Sequence, residues 1–142
     1  MPNREQRNPY KGNPPNPWVT VRFEKADGTG SVEKQLAVDT GDPSEARISS
    51  QNMRELKLAD GPNVETNYGH AAGGWVYINM PELGLEKWTL VFATDQLVSV
   101  VKRISQDFDG QVGLEFLREL EFGGNDREFW IRPLGHDRRT GS

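Results

Sequence analysis

The chain has 142 residues, a formal net charge of −4 and no cysteine. This length predicts one domain with a core that needs no metal or disulfide. The absence of cysteine excludes disulfides, thiolate zinc sites and a cysteine nucleophile. Both terminal stretches are basic, so the acidic excess lies in residues 18–132, and an acidic body argues against nucleic acid as the main partner.

The composition predicts a folded domain at residues 18–132 between two disordered ends. Residues 1–17 are rich in Asn, Pro, Arg and Gly and predict a mobile arm, while residues 133–142 predict a polar tail. The first residues lack the apolar segment of a secretory signal, and no apolar run approaches the roughly 20 residues of a membrane span. We therefore expect a cytoplasmic protein that does not contact a membrane.

Alternating residues predict a β-hairpin at the start of the domain. In the first strand, residues 18–24, Val21 and Phe23 face inward. Glycine-containing turn residues separate it from a second strand over residues 32–38. The second strand is apolar at its end and leads directly into Asp39-Thr40-Gly41. An acid in this position is either a turn residue or a catalytic carboxylate held on a rigid element.

The middle of the chain predicts one short helix and a second hairpin. The helix falls within residues 48–56, with Met53 and Leu56 inward. Strands over residues 64–68 and 75–80 flank the glycine-rich segment Gly69–Gly74, which predicts a flexible tip at the end of the hairpin.

The last third predicts a core strand over residues 88–93 and a final strand over residues 127–132. Residues 97–104 fit a strand and a helix equally well, because apolar residues recur at both spacings. Residues 114–120 predict a short helix with Leu114 and Leu117 inward and Phe116 as a further candidate for the inward face. The predicted fold class is therefore mainly β with one short helix near the C-terminus.

The order of these features over residues 18–132 resembles the retropepsin-type aspartic proteases. In that family an apolar strand leads into Asp-Thr-Gly, a glycine-tipped hairpin follows, and an apolar-apolar-Gly segment passes close to the triplet before a short helix. Val112-Gly113 matches that segment. Two features depart from the pattern: Asp42-Pro43 follows the triplet where Ala is usual at the first position, and Gln111 replaces an apolar residue.

The resemblance implies a retropepsin-like acid protease barrel with aspartic peptidase activity. Hydrolysis by carboxylates needs two acids that share one proton, but the chain has no second Asp-Thr-Gly or Asp-Ser-Gly. The resemblance therefore implies a homodimer in which each subunit contributes Asp39. Thr40 then forms a hydrogen bond across the two-fold axis, and Gly41 permits close backbone approach.

The resemblance also assigns residues around the catalytic triplet. Gly73, Gly74 and Trp75 are expected to bind an extended peptide or unfolded protein substrate as part of a flap. Val112 and Gly113 are expected to lie beside the triplet as structural residues.

Two other interpretations remain open. The departures at Asp42-Pro43 and Gln111 suit an inactive retropepsin-like module for peptide binding or assembly, and an unrelated β-rich domain would make the triplet accidental. No metal or cofactor is expected, because His70 and His136 lack ligand-spaced partners and no nucleotide-binding glycine pattern occurs. If the protein is active, Asp42 beside the dyad predicts an acidic pH optimum, because a second negative charge opposes ionisation.

Overall fold

The computed structural model describes residues 4–135, which are mainly β. Residues 1–3 of the predicted arm and residues 136–142 of the predicted tail lie outside this range. In chain order the strands are β1 (Gln6–Pro9), β2 (Trp18–Glu24), β3 (Ser31–Val38), β4 (Ala46–Ile48), β5 (Ala59–Asp60), β6 (Val64–Thr66), β7 (Gly69–Met80), β8 (Leu85–Ala93), β9 (Phe108–Val112), β10 (Leu120–Gly124) and β11 (Glu128–Pro133). The helices are α1 (Ser50–Leu56), α2 (Asp95–Ile104) and α3 (Leu114–Leu117), with a 3₁₀ turn at Pro81–Leu83.

Six of the strands close into a barrel. Their order is β2-β3-β9-β4-β8-β7, and β7 returns to β2 where Ile78 lies opposite Phe23. Val19, Val21 and Phe23 alternate along β2 and are fully buried, which confirms the inward face predicted for this strand. The barrel interior is therefore the main apolar core, and closure leaves its six strands without a free edge.

The first strand corrects the predicted disorder of residues 1–17. β1 pairs antiparallel with β11, and β10 completes this separate three-stranded sheet. The Gln6 side-chain amide donates to the Thr20 carbonyl at 3.0 Å and accepts from the Thr20 N–H at 2.6 Å. Backbone pairing and an amide side chain anchor this segment, and neither produces an apolar pattern in the sequence. At the other end, β11 continues through Pro133, into the predicted tail.

The described residues form three helices, whereas the predicted fold class has a single short helix near the C-terminus. α1 buries Met53 and Leu56, as the pattern predicts. The ambiguous segment belongs to α2, which is the longest helix described and packs chiefly against β9.

The helix near the C-terminus is shorter than predicted. α3 ends at Leu117, and Leu120 already belongs to β10. Leu114, expected to face inward, is 38% exposed. Within residues 4–135, none of the helices has the length and apolar character that crossing a membrane requires.

Candidate functional site

Asp39 is held where two parallel strands end together. Val38 at the end of β3 lies opposite Val112 at the end of β9. The Asp39 N–H donates to the Val112 carbonyl at 3.0 Å, and the Val38 N–H donates to the Pro17 carbonyl at 2.9 Å. The carboxylate therefore extends from a backbone that is fixed on both sides.

Asp39 also begins a tight turn. The Asp42 N–H donates to the Asp39 carbonyl at 3.1 Å, and the Gly41 N–H donates to Asp39 Oδ1 at 2.9 Å. Asp39 is thus both a turn residue and a rigidly held carboxylate, the two roles that the sequence presents as alternatives. Asp39, Thr40 and Gly41 are all exposed, and the Thr40 hydroxyl has no hydrogen-bond partner within residues 4–135.

Val112 and Gly113 lie beside the triplet. β9 runs between β3 and β4, although β3 and β4 follow each other in the chain. A Cβ atom on Gly113 would lie 2.3 Å from the Ser44 carbonyl oxygen and 2.4 Å from that of Asp42. Only glycine lets the two segments cross this closely, because real Cβ atoms do not approach other atoms below about 3 Å. The next residue, Leu114, donates its N–H to the Asp42 carbonyl at 2.7 Å.

Asp42 is a buried carboxylate with partners on several sides, and it is only 5% exposed. Arg47 Nε donates to its Oδ2 at 2.8 Å. The N–H and hydroxyl of Ser44 donate to its Oδ1 at 2.9 and 2.7 Å. Burial alone would raise the pKa of Asp42, but the hydrogen bonds from Arg47, Gln111 and Ser44 outweigh it and hold this pKa below its ordinary value. Asp42 is therefore ionised and paired with Arg47.

Gln111 connects this buried pair to Asp39. Its Nε2 donates to Asp42 Oδ2 at 2.8 Å and lies 3.5 Å from Asp39 Oδ2. The sequence presents Asp42 as an uncompensated negative charge beside the dyad, whereas the structure places Arg47 against it. Asp42 therefore gives no support to the predicted acidic optimum.

The β6–β7 hairpin, whose tip lines a cavity with Asp39, reverses at other residues than predicted. Gly69–Gly74 lies within β7, and the chain reverses between Thr66 and Gly69. Thr66 Oγ1 donates to the Gly69 carbonyl at 2.8 Å and accepts from the Tyr68 N–H at 3.0 Å. Glycine at position 69 suits this reversal, because its φ is +96°.

Gly73, Gly74 and Trp75, the predicted substrate-binding residues, lie away from the hairpin tip. Gly73 and Gly74 are buried in β7, where they pack against Pro62 and Met53. They permit close packing between strands and α1 rather than motion. Trp75 lines a separate groove on the outer surface of β7 and β8.

Two adjacent cavities border Asp39. One, of about 270 Å³, lies between the Asp39 turn and the hairpin tip and is lined partly by Asp42, Arg47 and Tyr68. The other, of about 280 Å³, is more apolar, and its walls include Leu97 and Ile104 of α2. Asp39, Tyr68, Leu97 and Gln111 line both cavities.

Three of these residues, Arg47, Tyr68 and Leu97, are not among the site residues predicted from the sequence. The pair Asn67-Tyr68 before Gly69 carries a turn signal that would have placed Tyr68 at the tip. No comparable signal marks Arg47 or Leu97, because their places in the cavities depend on tertiary packing.

Within residues 4–135, no three His, Asp or Glu side chains are grouped as a metal site would require. Comparisons of the chain with protein-family models, with curated proteins and with solved structures found no match. The site geometry is therefore the basis for proposing a function.

Proposed function

We propose that this protein is a homodimeric, retropepsin-like aspartic endopeptidase with Asp39 from each subunit as its catalytic dyad. One observation carries the proposal: an exposed carboxylate, fixed by a strand end and a tight turn, borders a cavity that a hairpin tip also lines. This arrangement leaves room for a peptide between Asp39 and Tyr68. A cytoplasmic location remains part of the proposal.

The chemistry requires one dyad carboxylate to be ionised and the other protonated. The ionised Asp39 takes a proton from water as the water oxygen attacks the scissile carbonyl carbon, and the protonated Asp39 donates its proton to the carbonyl oxygen. Collapse of the tetrahedral diol breaks the C–N bond as the newly protonated Asp39 gives its proton to the leaving nitrogen. The other Asp39 takes a proton from a diol hydroxyl, which forms the product carboxylic acid and restores the single proton of the dyad. The two carboxylates supply both acid and base, so no cofactor is needed.

Several surface features support a dimer. The exposed Thr40 has a hydroxyl free for a bond to a second subunit. β10 is an edge strand of the three-stranded sheet, and such edges favour pairing with another chain. Phe122 on β10 and Leu114 at the start of α3 are 40% and 38% exposed.

The second candidate is a non-catalytic peptide-binding module with the same fold. The observation that favours it is the contact between Gln111 and Asp39, because it places an amide against the carboxylate oxygen. Such a module would bind peptides without cleaving them.

Digestion of a denatured protein between pH 3 and pH 7 tests the first candidate. Asp39→Asn should reduce the cleavage rate by about 100- to 10,000-fold, because it removes the group that accepts and donates the proton. Asp126→Asn is the matched control, since Asp126 is exposed and lines neither cavity at Asp39. Sedimentation of the wild-type protein should show a dimer.

The two candidates give different results. Cleavage that persists in Asp39→Asn, or a wild-type protein that remains monomeric while active, contradicts the proposed dyad. Wild-type protein that binds peptides and cleaves none at any pH supports the module.

A further inference from the structure

A larger groove, of about 390 Å³, lies on the outer surface of β7 and β8. Its apolar side includes Trp75, Trp88, Leu90 and Phe92. Trp88 is 59% exposed and Trp75 is 37% exposed. Grouped exposed aromatic side chains are characteristic of interaction surfaces.

The aromatic side of the groove is a preformed surface. Trp75 lies opposite Leu90, and Tyr77 lies opposite Trp88 in the β7–β8 ladder. The Tyr77 and Trp88 rings meet edge to face, with centroids 5.8 Å apart. Cross-strand pairs of this kind hold aromatic rings in place, so a ligand meets a largely ordered indole surface.

The other side of the groove is acidic. Glu45, Glu115 and Glu119 line it, and the cation among the lining residues is Lys87. Lys87 Nζ lies 2.9 Å from Glu45 Oε2 and also bonds Glu119. Burial opposes its charge, but these two carboxylates raise the pKa of Lys87 above its ordinary value. One cation is thus shared between two carboxylates, and a negative excess remains in the groove.

Glu115 adds to this excess at the groove edge. Its side chain is 53% exposed, and its contact with Arg118, at 3.3 Å, is also exposed to solvent. Exposed pairs of this kind contribute little energy, so the Glu115 carboxylate is available to an incoming cation.

The groove and the Asp39 cavity adjoin each other. Pro43 lines the cavity and the next residue, Ser44, lines the groove. The Glu115 N–H donates to the Ser44 carbonyl at 3.3 Å, which attaches the acidic edge to the same segment. Because an extended peptide advances about 3.3 Å per residue, we expect the flanking residues of a peptide bound at Asp39 to reach the groove.

We infer that this groove binds a basic flank of the polypeptide substrate, with an Arg or Lys stacked on Trp88 and directed towards Glu115 and Glu119. The inference rests on the proposed peptidase function for its choice of a substrate flank as the occupant. The pairing of an indole face with nearby carboxylates favours a cation, through cation–π attraction and opposite charge. The carboxylates disfavour an acidic segment and the phosphates of nucleic acid.

The test compares two peptides that share one cleavable core and differ in the flank, which carries either two Arg or two Glu. Binding is measured on Asp39→Asn protein, so that no cleavage is needed, and kcat/KM is measured on the wild type. We expect the Arg flank to bind about five- to tenfold more tightly than the Glu flank, with a similar preference in kcat/KM.

Two variants locate the preference and one serves as a control. Glu115→Lys should abolish or reverse the preference for the Arg flank. Trp88→Ala should weaken binding of the Arg peptide. Glu86→Lys is the matched control, because Glu86 is exposed on β8, the strand that carries Trp88, and does not line the groove. Thermal unfolding confirms that each variant is folded.

The outcomes separate this inference from the proposed function. The proposed role of the groove is contradicted if the protein cleaves both peptides equally well. It is also contradicted if Glu86→Lys reverses the preference as strongly as Glu115→Lys does. Neither result contradicts the proposed peptidase function. If the Asp39→Asn protein binds the Arg peptide through Trp88 and Glu115 but the wild type never cleaves, basic-peptide binding in the groove is supported and the proposed peptidase function is contradicted. Loss of self-association in Trp88→Ala, without any peptide binding, assigns the surface to a second copy and also overturns the inference.

Discussion

At the scale of single residues, Gln111 is the group that connects Asp39 to the buried Asp42–Arg47 pair. Its side chain is 5% exposed, so its amide has little access to water as an alternative partner. Gln111 therefore links the orientation of the Asp39 carboxylate to the buried pair.

We predict that Gln111→Leu destabilises the fold by about 1 to 2 kcal/mol, because Asp42 loses a buried hydrogen-bond donor. In the same variant, the proposed cleavage rate should fall, because Asp39 loses the amide that contacts its Oδ2. Urea unfolding measures the first effect, and digestion of a denatured protein measures the second. Gln35→Leu is the control on neighbouring β3, where the side chain bonds Lys11 instead. An unchanged cleavage rate in Gln111→Leu would contradict this role.

At the scale of secondary structure, the crossing of β9 between β3 and β4 positions the site, and Gly113 is its closest contact. We predict that Gly113→Ala destabilises the protein by about 3 kcal/mol, because the methyl group would meet the Ser44 and Asp42 carbonyl oxygens. Gly41→Ala should cost less, since the nearest atom to its Cβ position is 3.2 Å away. Denaturant midpoints of the two variants measure the difference, and equal midpoints would rule out the crossing as the cause.

The sequence predicts strands well where one face is buried and poorly where hydrogen bonds alone define the strand. β2 and β3 alternate or end in apolar runs, so their hairpin follows from the pattern. β1 and β5 bury little of their own surface and exist through pairing with β11 and β7. Local pattern contains no information about those partners.

The residues of the candidate site also divide into those that a local sequence pattern predicts and those that it does not. Asp39, Val112 and Gly113 occur in recognisable local motifs, and the structure brings them together. Arg47 and Leu97 reach the cavities only through tertiary packing, whereas Tyr68 follows a local turn signal. The glycines of β7 were assigned to a flexible tip because close strand packing and loop flexibility both select glycine.

At the scale of the whole molecule, Asp42 sets a lower pH limit on the folded state. Its pKa is lowered in the fold from an ordinary value of 3.8. The ionised carboxylate therefore stabilises the protein above pH 3.8, and this contribution is lost as the pH falls through the lowered pKa. An acid-active enzyme built on this site would work only above that range.

We predict that Asp42→Asn costs about 3 kcal/mol at pH 7, because it leaves Arg47 buried beside a neutral group. The difference from wild type should shrink below about pH 3.8, where Asp42 of the unfolded chain takes up its proton, and should be lost as the pH falls through the lowered pKa of Asp42 in the fold. Thermal unfolding at pH 7 and pH 3 measures this, with Asp126→Asn as the exposed control. A difference that is the same at both pH values would exclude the ionised Asp42–Arg47 pair as its source.

The pairing of β1 with β11 joins Gln6 to Ile131, and it has a consequence for synthesis. A ribosome makes β1 first, but this strand has no ladder partner until residues 128–133 have left the exit tunnel. β3 likewise waits for β9 before its end is fixed. A nascent chain thus exposes Asp39 on an unfinished scaffold, and contacts this distant in sequence make folding slow. Both pairings therefore form only after most of the described chain has been made.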